Sequence, residues 1–215
     1  MDLKEGIIKT ALKMVQSGLV RGTWGNISVR QDNRLLITPS GTPYEELTVE
    51  DIAVVDLKSG EQVGGRLKAS SELPLHISIY RIFDRINGIV HTHSLYASAF
   101  AALGEEVPCY TEDQAQIIGG SIPVASYALP GSYELGYNVT AVLKTGKYAA
   151  LMAKHGLVSV GRSLKEAFMV AEVAEKSANL AYLVRTLSPN LEPMNEGEIE
   201  IMRKNYLNSY SKHIL

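Results

Sequence analysis

Two histidines at alternate positions of an apolar segment are the residues of this sequence best suited to binding a metal. They are His91 and His93, in the run Ile89-Val90-His91-Thr92-His93-Ser94. Side chains on a strand alternate between faces, so both imidazoles are expected on one face, roughly 6–7 Å apart along the strand. That spacing lets both reach one metal ion. A catalytic transition metal usually has three or four protein ligands and an open position, so further ligands must come from elsewhere in the chain.

Glu72 and His155 are the candidates for these further ligands. Glu72 ends the Ser70-Ser71-Glu72 triplet, and His155 lies in a Lys154-His155-Gly156 corner between two apolar segments. Each has an ordinary structural explanation: a carboxylate near a helix N-terminus interacts favourably with the helix dipole, and a glycine neighbour relieves strain in a turn. The combination is more informative, because only five histidines are present and three lie at ends of apolar strands. We interpret the other two, His76 and His213, as structural or solvated.

Three small turns could bind phosphate. They are Gly25-Asn26, Ser40-Gly41 and Ser70-Ser71, and the last lies at a predicted helix N-terminus. Exposed backbone N–H groups there, aided by the helix dipole, bind anions without requiring a lysine. Small residues are common in turns, so any one of these would be uninformative. Their proximity to Glu72 favours a phosphate site.

The spacing of apolar residues predicts the elements that position these groups. Helices are expected over residues 3–17, 70–82, 95–103, 133–145, 164–187 and 196–208, with a helical turn at 48–51. Strands are expected over residues 27–30, 35–38, 52–57, 88–93, 149–153 and 157–160, with short ones near 107 and at 122–125. Ser94 and Ser163 are expected to cap the helices that follow them. Several connections are hairpin-short, so the sheet should be mixed or mainly antiparallel.

Composition excludes several classes of protein. The 215 residues have a net charge of −2 and a pI near 6.2, which argues against binding to nucleic acid or a membrane surface. The single Cys109 cannot form an intrachain disulfide, the N-terminus lacks a signal-peptide core, and no apolar run is long enough to span a bilayer. We therefore expect a cytoplasmic protein, with one domain over residues 1–215.

Five motifs together resemble the class II aldolase/adducin family nearly end to end: GTWGNIS, LLITPSGTPYEEL, SSE, VHTH and KHGLVSVG. The resemblance implies an α/β (α+β) fold of three layers, α/β/α, with a mixed, mainly antiparallel sheet between helices. It implies one divalent metal per subunit, zinc before manganese or cobalt, bound by Glu72, His91, His93 and His155. It also implies phosphate binding by Gly25, Asn26, Ser40, Gly41, Ser70 and Ser71, and a homotetramer with active sites at subunit interfaces.

The implied reaction is reversible cleavage of a ketose 1-phosphate, such as L-fuculose 1-phosphate or a 5-deoxypentulose 1-phosphate. The products are dihydroxyacetone phosphate and a short aldehyde such as L-lactaldehyde. Glu72 is expected to transfer the proton of the enediolate, at its hydroxymethyl carbon. In the aldolase branch a tyrosine of the neighbouring subunit donates a second proton, and Glu112 occupies its position here, with Tyr110 two residues before it. Tyr210 lies within one residue of a tail tyrosine that reaches the family's site, and Tyr206 is the likelier packing aromatic.

Other functions remain open at this stage. A ribulose-phosphate 4-epimerase or a methylthioribulose-1-phosphate dehydratase of the same family would use the same metal, and both use a carboxylate in the loop that contains Glu112. The SSE triplet favours an aldolase, because the epimerase branch has aspartate in place of that glutamate. A cupin-type dioxygenase also uses His-x-His with glutamate and histidine, but the predicted helices count against its nearly all-strand fold. An adducin-like binding module would keep the fold and lose the ligands.

Overall fold

Helices and strands interleave along the chain in a computed structural model, which describes residues 2–210 apart from the Tyr210 side chain. The helices are α1 (Leu3–Gln16), α2 (Leu73–Ile82), α3 (Leu95–Leu103), α4 (Glu112–Ile117), α5 (Tyr133–Leu143), α6 (Leu164–Leu187) and α7 (Glu196–Asn205). The strands are β1 (Gly25–Gln31), β2 (Arg34–Ile37), β3 (Ala53–Asp56), β4 (Gln62–Gly64), β5 (Gly88–Thr92), β6 (Val124–Ala125), β7 (Ala149–Met152) and β8 (Gly156–Gly161). Within this part of the chain, every helix is too short or too polar to cross a lipid bilayer.

The eight strands form one sheet in the order β4-β3-β2-β1-β5-β8-β7-β6. Neighbouring strands are antiparallel except for the parallel pair of β6 and β7. The predicted mixed, mainly antiparallel sheet is therefore confirmed. β5 lies between β1 and β8, where His91 is paired with Asn26 on one side and Val158 on the other. This register brings segments that are far apart in sequence together at one end of the central strands.

Apolar side chains on both faces of the sheet build two cores. Val90 and Leu157 belong to the core shared with α1, α3 and α6, whereas Ile89 and Val158 belong to the core shared with α2 and α5. Consecutive residues on β5 and on β8 therefore face opposite layers, as the two-residue period of a strand requires. Helices cover both faces of the sheet, which confirms the predicted layered α/β/α fold.

Several local expectations differ from the structure. The polar stretch 105–120 contains α4, and β4 pairs with β3 at the sheet edge, although neither has a strong apolar period. Residues 48–51 form a turn closed by the Asp51 carboxylate, which accepts from the Thr48 amide and hydroxyl, instead of a helical turn. The last helix ends at Asn205 and continues as a π-helical turn over Tyr206–Tyr210. These differences arise where side-chain hydrogen bonds and tertiary packing outweigh local propensity.

The two predicted caps behave differently. Ser163 accepts a hydrogen bond from the Glu166 amide and caps α6 as expected. Ser94 occupies the N-cap position of α3, but its side chain makes no capping bond. The Glu175 carboxylate of α6 accepts from the Tyr96 and Ala97 amides instead, at 2.9 Å each. A carboxylate there accepts from two N–H groups that have no partner within the helix, and it interacts favourably with the positive end of the helix dipole. A residue distant in the sequence therefore caps α3 in place of the local serine.

Candidate metal centre and phosphate cavity

His91 and His93 come together at the end of β5. The strand ends at Thr92, so His93 lies one residue beyond it rather than within it. The two side chains leave the same face and converge, so that their Nε2 atoms are 3.0 Å apart. His155 completes a nearly equilateral triangle, in which the ring centroids are separated by 4.8, 4.9 and 4.9 Å. The nitrogens that could bind a metal all lie within 4.8 Å of one another.

A tight turn between β7 and β8 positions His155. Lys154 takes the left-handed conformation there, with a φ of 58°. A Cβ atom on Gly156 would lie 2.4 Å from the Thr92 carbonyl oxygen, so only glycine fits beside β5 at this point. The glycine beside His155 is therefore required by close packing of the turn against β5, whereas the left-handed residue of the turn is Lys154.

Glu72 lies immediately before α2, whose first residue is Leu73. The Ser70 hydroxyl accepts a hydrogen bond from the Glu72 amide and so fixes the turn that precedes the helix. The carboxylate is buried and lies 3.1 Å from Nε2 of His91 and 3.1 Å from Nε2 of His155. Burial raises the pKa of Glu72, but the facing His91 and His155 and the Asn26 amide hold that pKa below its usual range. The carboxylate is therefore ionised at neutral pH.

The donor set fits a divalent metal. Nδ1 of His91 lies 2.8 Å from the Leu157 carbonyl oxygen, which can only accept, so Nδ1 bears the proton and Nε2 presents its lone pair. That lone pair faces Nε2 of His93 and the Glu72 carboxylate, both about 3 Å away. Burial lowers the pKa of His91 and, with the neighbouring histidines, lowers that of His93 to about 4. Neutral imidazoles and a carboxylate that converge in this way repel one another unless a cation lies between them, and these ligand types accept zinc, manganese and cobalt.

All six residues predicted to bind phosphate line the same cavity as the histidines. The cavity has a volume of about 230 Å³. It is lined by Thr23, Trp24, Gly25, Asn26, Pro39, Ser40, Gly41, Ser70, Ser71, Glu72, His91, His93, Pro130 and His155. Gly25 is required by close approach, because a Cβ atom there would lie 2.8 Å from the His91 carbonyl oxygen. Small turns thus leave room for a ligand directly beside the imidazoles.

The structure also places residues at this site that the sequence did not indicate. Trp24 is 68% exposed at the cavity, and its ring centroid lies 5.8 Å from that of His93. His76, interpreted from the sequence as structural or solvated, is fully buried and contacts Asn26. It lies four residues after Glu72, so the two residues are one helical turn apart. That spacing could have indicated from the sequence that His76 lies on the same side of the helix as Glu72. The other such histidine, His213, lies outside the described residues.

Two of the predicted catalytic residues, Glu112 and Tyr110, are not brought to the cavity within one chain. Glu112 is exposed at the start of α4, and Tyr110 is partly buried, with its hydroxyl donating to the Leu191 carbonyl at 3.4 Å. Neither residue lines the cavity. The side chain of Tyr210 lies outside the described part of the structure. The roles of these three residues stay predictions.

This chain is similar to known proteins in sequence and in fold. The chain matches the model of the class II aldolase and adducin N-terminal domain over residues 5–182. It is similar to a solved structure of an L-fuculose 1-phosphate aldolase, with a TM-score of 0.90, 32% identity and 95% of each chain covered.

Characterised relatives include different activities. The L-fuculose phosphate aldolase of Methanococcus maripaludis strain C7 is 38% identical over 87% of this chain and 99% of its own. The 5-deoxy-D-ribulose 1-phosphate aldolase of Bacillus thuringiensis serovar kurstaki is 37% identical over 94% of each chain. The L-ribulose-5-phosphate 4-epimerase of Salmonella paratyphi A is 31% identical over 97% of each chain. On the family model, these relatives and the shared fold, the chain belongs to the class II aldolase and adducin family.

Proposed function

We propose that this protein is a metal-dependent aldolase that cleaves a ketose 1-phosphate to dihydroxyacetone phosphate and a short aldehyde. The observation that supports this most directly is the shared cavity. Three histidines and Glu72 line the same space of about 230 Å³ as the serine and glycine turns. A sugar phosphate needs both kinds of group within a few ångströms. The substrates we expect are L-fuculose 1-phosphate or a 5-deoxypentulose 1-phosphate, as the names of two relatives suggest.

In this proposal the turns bind the phosphate of the substrate. Hydroxyl groups of Ser40, Ser70 and Ser71 and nearby backbone N–H groups would donate hydrogen bonds to its oxygens. Contacts to this non-reacting group then hold the scissile C3–C4 bond in place, so binding energy is used for orientation. Within residues 2–210 no lysine or arginine lines the cavity, so in this proposal the phosphate is recognised by hydrogen-bond donors.

Glu72 is proposed to move the proton at C3 of the ketose, the carbon that gains negative charge when the C3–C4 bond breaks. A divalent metal bound by His91, His93 and His155 would act as a Lewis acid toward the C2 and C3 oxygens, which is worth several kcal/mol. The Glu72 carboxylate is ionised and adjoins two of these histidines, so it can accept a proton from a substrate carbon held beside them. Its position between the metal ligands and the phosphate turns supports this assignment over a purely structural role.

A second proton-transfer group is proposed to come from a neighbouring subunit. Glu112 is the first candidate, with Tyr110 and Tyr210 as alternatives. Tyr110 and Glu112 lie outside the cavity of their own chain, which supports a homotetramer in which each cavity is completed by another copy. The assembly would have a mass near four times 23.5 kDa. A monodisperse and fully active monomer in light scattering would contradict this arrangement.

Epimerisation of a ribulose phosphate is the second candidate. It would use the same metal, and a 4-epimerase is 31% identical to this chain over nearly its whole length. The carboxylate of Glu112 also suits that branch or the dehydratase. The two reactions differ in their products: an aldolase releases dihydroxyacetone phosphate and an aldehyde, whereas an epimerase returns a pentulose phosphate of unchanged mass.

A panel of five- and six-carbon ketose phosphates tests the proposal. The zinc-loaded protein would be incubated with each sugar, and release of dihydroxyacetone phosphate would be followed with an NADH-linked reductase. We expect cleavage of at least one ketose 1-phosphate and none after chelation of the metal. Inversion of L-ribulose 5-phosphate without any three-carbon product would favour the epimerase instead.

A further inference from the structure

A line of buried polar side chains leads from the metal centre into the core beneath α2. Nδ2 of Asn26 lies 3.3 Å from Oε2 of Glu72, and Oδ1 of Asn26 lies 2.6 Å from Nε2 of His76. Nδ1 of His76 lies 2.6 Å from the Ser28 hydroxyl, which is 2.9 Å from the Tyr80 hydroxyl. The side chains of His76 and Ser28 are fully buried and that of Tyr80 almost so. Buried polar groups cost stability unless they are paired, so this line must be satisfied internally.

The chemistry of the groups fixes the orientation of the Asn26 amide and the tautomer of His76. A carboxylate only accepts, so the Asn26 amide must turn its N–H₂ toward Glu72 and its oxygen toward His76. That oxygen requires a proton on Nε2 of His76. Burial lowers the pKa of His76 to about 3, so the ring is neutral and its Nδ1 is an acceptor. Nδ1 can therefore accept from the Ser28 hydroxyl, and the Tyr80 hydroxyl oxygen lies 2.9 Å from that of Ser28.

The geometry of β1 explains why an imidazole is suited to this place. Asn26 and Ser28 are two residues apart on the strand, so their side chains project from the same face. His76 on α2 lies across both and offers a donor to one and an acceptor to the other. A side chain with one polar atom could satisfy only one of them. The imidazole thereby links the start of α2, where Glu72 lies, to the strand that pairs with His91.

We propose that His76 is a positioning residue that, through its tautomer, fixes the Asn26 amide and thereby the Glu72 carboxylate beside the metal ligands. The consequence for metal binding needs only the donor set of this site, and the consequence for turnover rests on the proposed aldolase function. Asn26 also lines the cavity, so the same amide adjoins the phosphate turns. Reversing the amide would place its oxygen against the Glu72 carboxylate, which would push the carboxylate away from His91.

Four substitutions at this line test the proposal, with zinc affinity measured by chelator competition and kcat measured at saturating zinc. His76→Phe fills the volume but removes both polar atoms, and we expect about 10–100-fold weaker zinc binding and a comparable fall in kcat. His76→Gln can keep a donor for Asn26 and should stay within about threefold of wild type. In His76→Asn the side chain is too short to reach Asn26, so zinc affinity and kcat should fall as far as in His76→Phe. Ser28→Ala removes the donor to Nδ1, so His76 is no longer held in one tautomer. Zinc affinity and kcat should then lie between those of wild type and His76→Phe.

Ser78→Ala is the matched control, since Ser78 is a buried serine on the same helix whose hydroxyl donates to the Pro74 carbonyl, outside the line. We expect unchanged zinc affinity and kcat there. A purely structural role for His76 predicts lower melting temperatures but equal zinc affinity in the folded fraction of every variant.

Wild-type zinc affinity in His76→Phe, or glutamine no better than asparagine, would overturn the proposal. Should His76→Phe fail to fold, the glutamine, asparagine and Ser28→Ala variants decide the matter by the same measurements. A wild-type protein that binds zinc but cleaves no ketose 1-phosphate would end the proposed function and leave the zinc comparison intact.

Discussion

The metal end of the cavity and the α4 segment (residues 105–120) differ in how their candidate groups are held. The groups at the metal end come from strand ends and a helix start that meet at one end of the central strands: His91, His93, His155 and Glu72. Within one chain, neighbouring nitrogen and carboxylate oxygen atoms of these residues are about 3 Å apart. Glu112, in the α4 segment, is exposed and lies outside that cavity. The first group is positioned within one chain by strand register, the β7–β8 turn and the start of α2. The second can act only if another surface brings it to the site.

The largest expected effect is the loss of the metal itself. His93→Ala removes one of three converging imidazoles, and we expect purified protein with far less bound zinc and cleavage lowered by about 10⁴-fold or more, from several kcal/mol of lost Lewis-acid stabilisation. Metal analysis and the cleavage assay check this, with wild type stripped by chelator and reloaded with zinc as the reference. Full metal occupancy with undiminished activity would remove His93 from the site.

Glu72→Gln should retain more zinc than His93→Ala but lose proton transfer. Glutamine keeps the size of the side chain and one carbonyl oxygen, so the three histidines should still hold zinc, though more weakly. As a proton-transfer group, Glu72 should account for about 10²–10⁴-fold in turnover and in exchange of a proton on the hydroxymethyl carbon of dihydroxyacetone phosphate. If the carboxylate only interacts with the α2 dipole, the change should cost roughly 0.3–1 kcal/mol of stability and leave exchange intact.

Glu175→Gln is the matched control for this change. Glu175 is also a carboxylate at a helix N-terminus, where it caps α3 away from the cavity. We expect a lower melting temperature and nearly normal turnover, the reverse of the result at Glu72. Normal exchange at the hydroxymethyl carbon in zinc-loaded Glu72→Gln would leave Glu72 a structural residue.

The metal end could be predicted from the sequence because its determinants are local. The alternation in β5 placed His91 and His93 on one face, and glycine and serine turns marked the cavity. What the sequence could not provide was strand order, since the pairing of β5 with both β1 and β8 depends on packing across the whole sheet. The link from His76 to Asn26 was missed for the same reason, because these residues are 50 positions apart.

The α4 segment was harder to predict because its determinants are distant. Its residues are mostly polar, so no apolar period indicated α4. The helix is instead stabilised by packing against α7 and by Arg203, whose guanidinium donates to the carbonyls of Gln116 and Ile117. Likewise, Ser94 has the residue type of a cap, but Glu175 of α6 supplies the bonds. A helix held by partners far away in the chain leaves little trace in its own sequence.

Glu112→Gln tests whether the two regions meet in the assembled protein. We expect about 10²-fold slower cleavage with zinc content unchanged, because only a proton-transfer group is lost. Tyr110→Phe serves as its comparison, and a larger loss there would transfer the role to the tyrosine. Equal activity of both variants and wild type would exclude this segment from the reaction.

Mixing subunits makes the same test sharper. If each cavity is completed by a neighbouring copy, reassembling His93→Ala with Glu112→Gln in equal amounts restores sites that take their metal end from one chain and their acid from another. Random assembly of a closed ring should return about one quarter of wild-type activity. No recovery, with mixed assemblies verified by mass spectrometry, would place both groups of a site in a single chain.

The smallest effect on turnover is expected at Asp113, the residue after Glu112. It distinguishes a catalytic from a structural carboxylate within α4. Glu112 and Asp113 both lie in the first turn, but the Asp113 carboxylate forms an ion pair with Lys176 of α6 at 2.6 Å. No hydrogen bond or ion pair of the Glu112 carboxylate is found within residues 2–210. Burial raises the pKa of Asp113, but the bond to Lys176, the charge of Lys176 and nearby donors together lower that pKa, so the pair persists at neutral pH.

Asp113→Asn should therefore cost stability rather than turnover. Lys176 is well exposed, so the pair is worth only about 0.2–1 kcal/mol, and the melting temperature should fall by at most about 4 °C, less in high salt. Turnover should stay within about threefold of wild type, since an exposed pair that only fastens α4 to α6 supplies no reacting group. Thermal unfolding at low and high salt, alongside the cleavage assay, measures both quantities. A large loss of turnover at Asp113 with none at Glu112 would reverse the assignment of the reacting carboxylate within this helix.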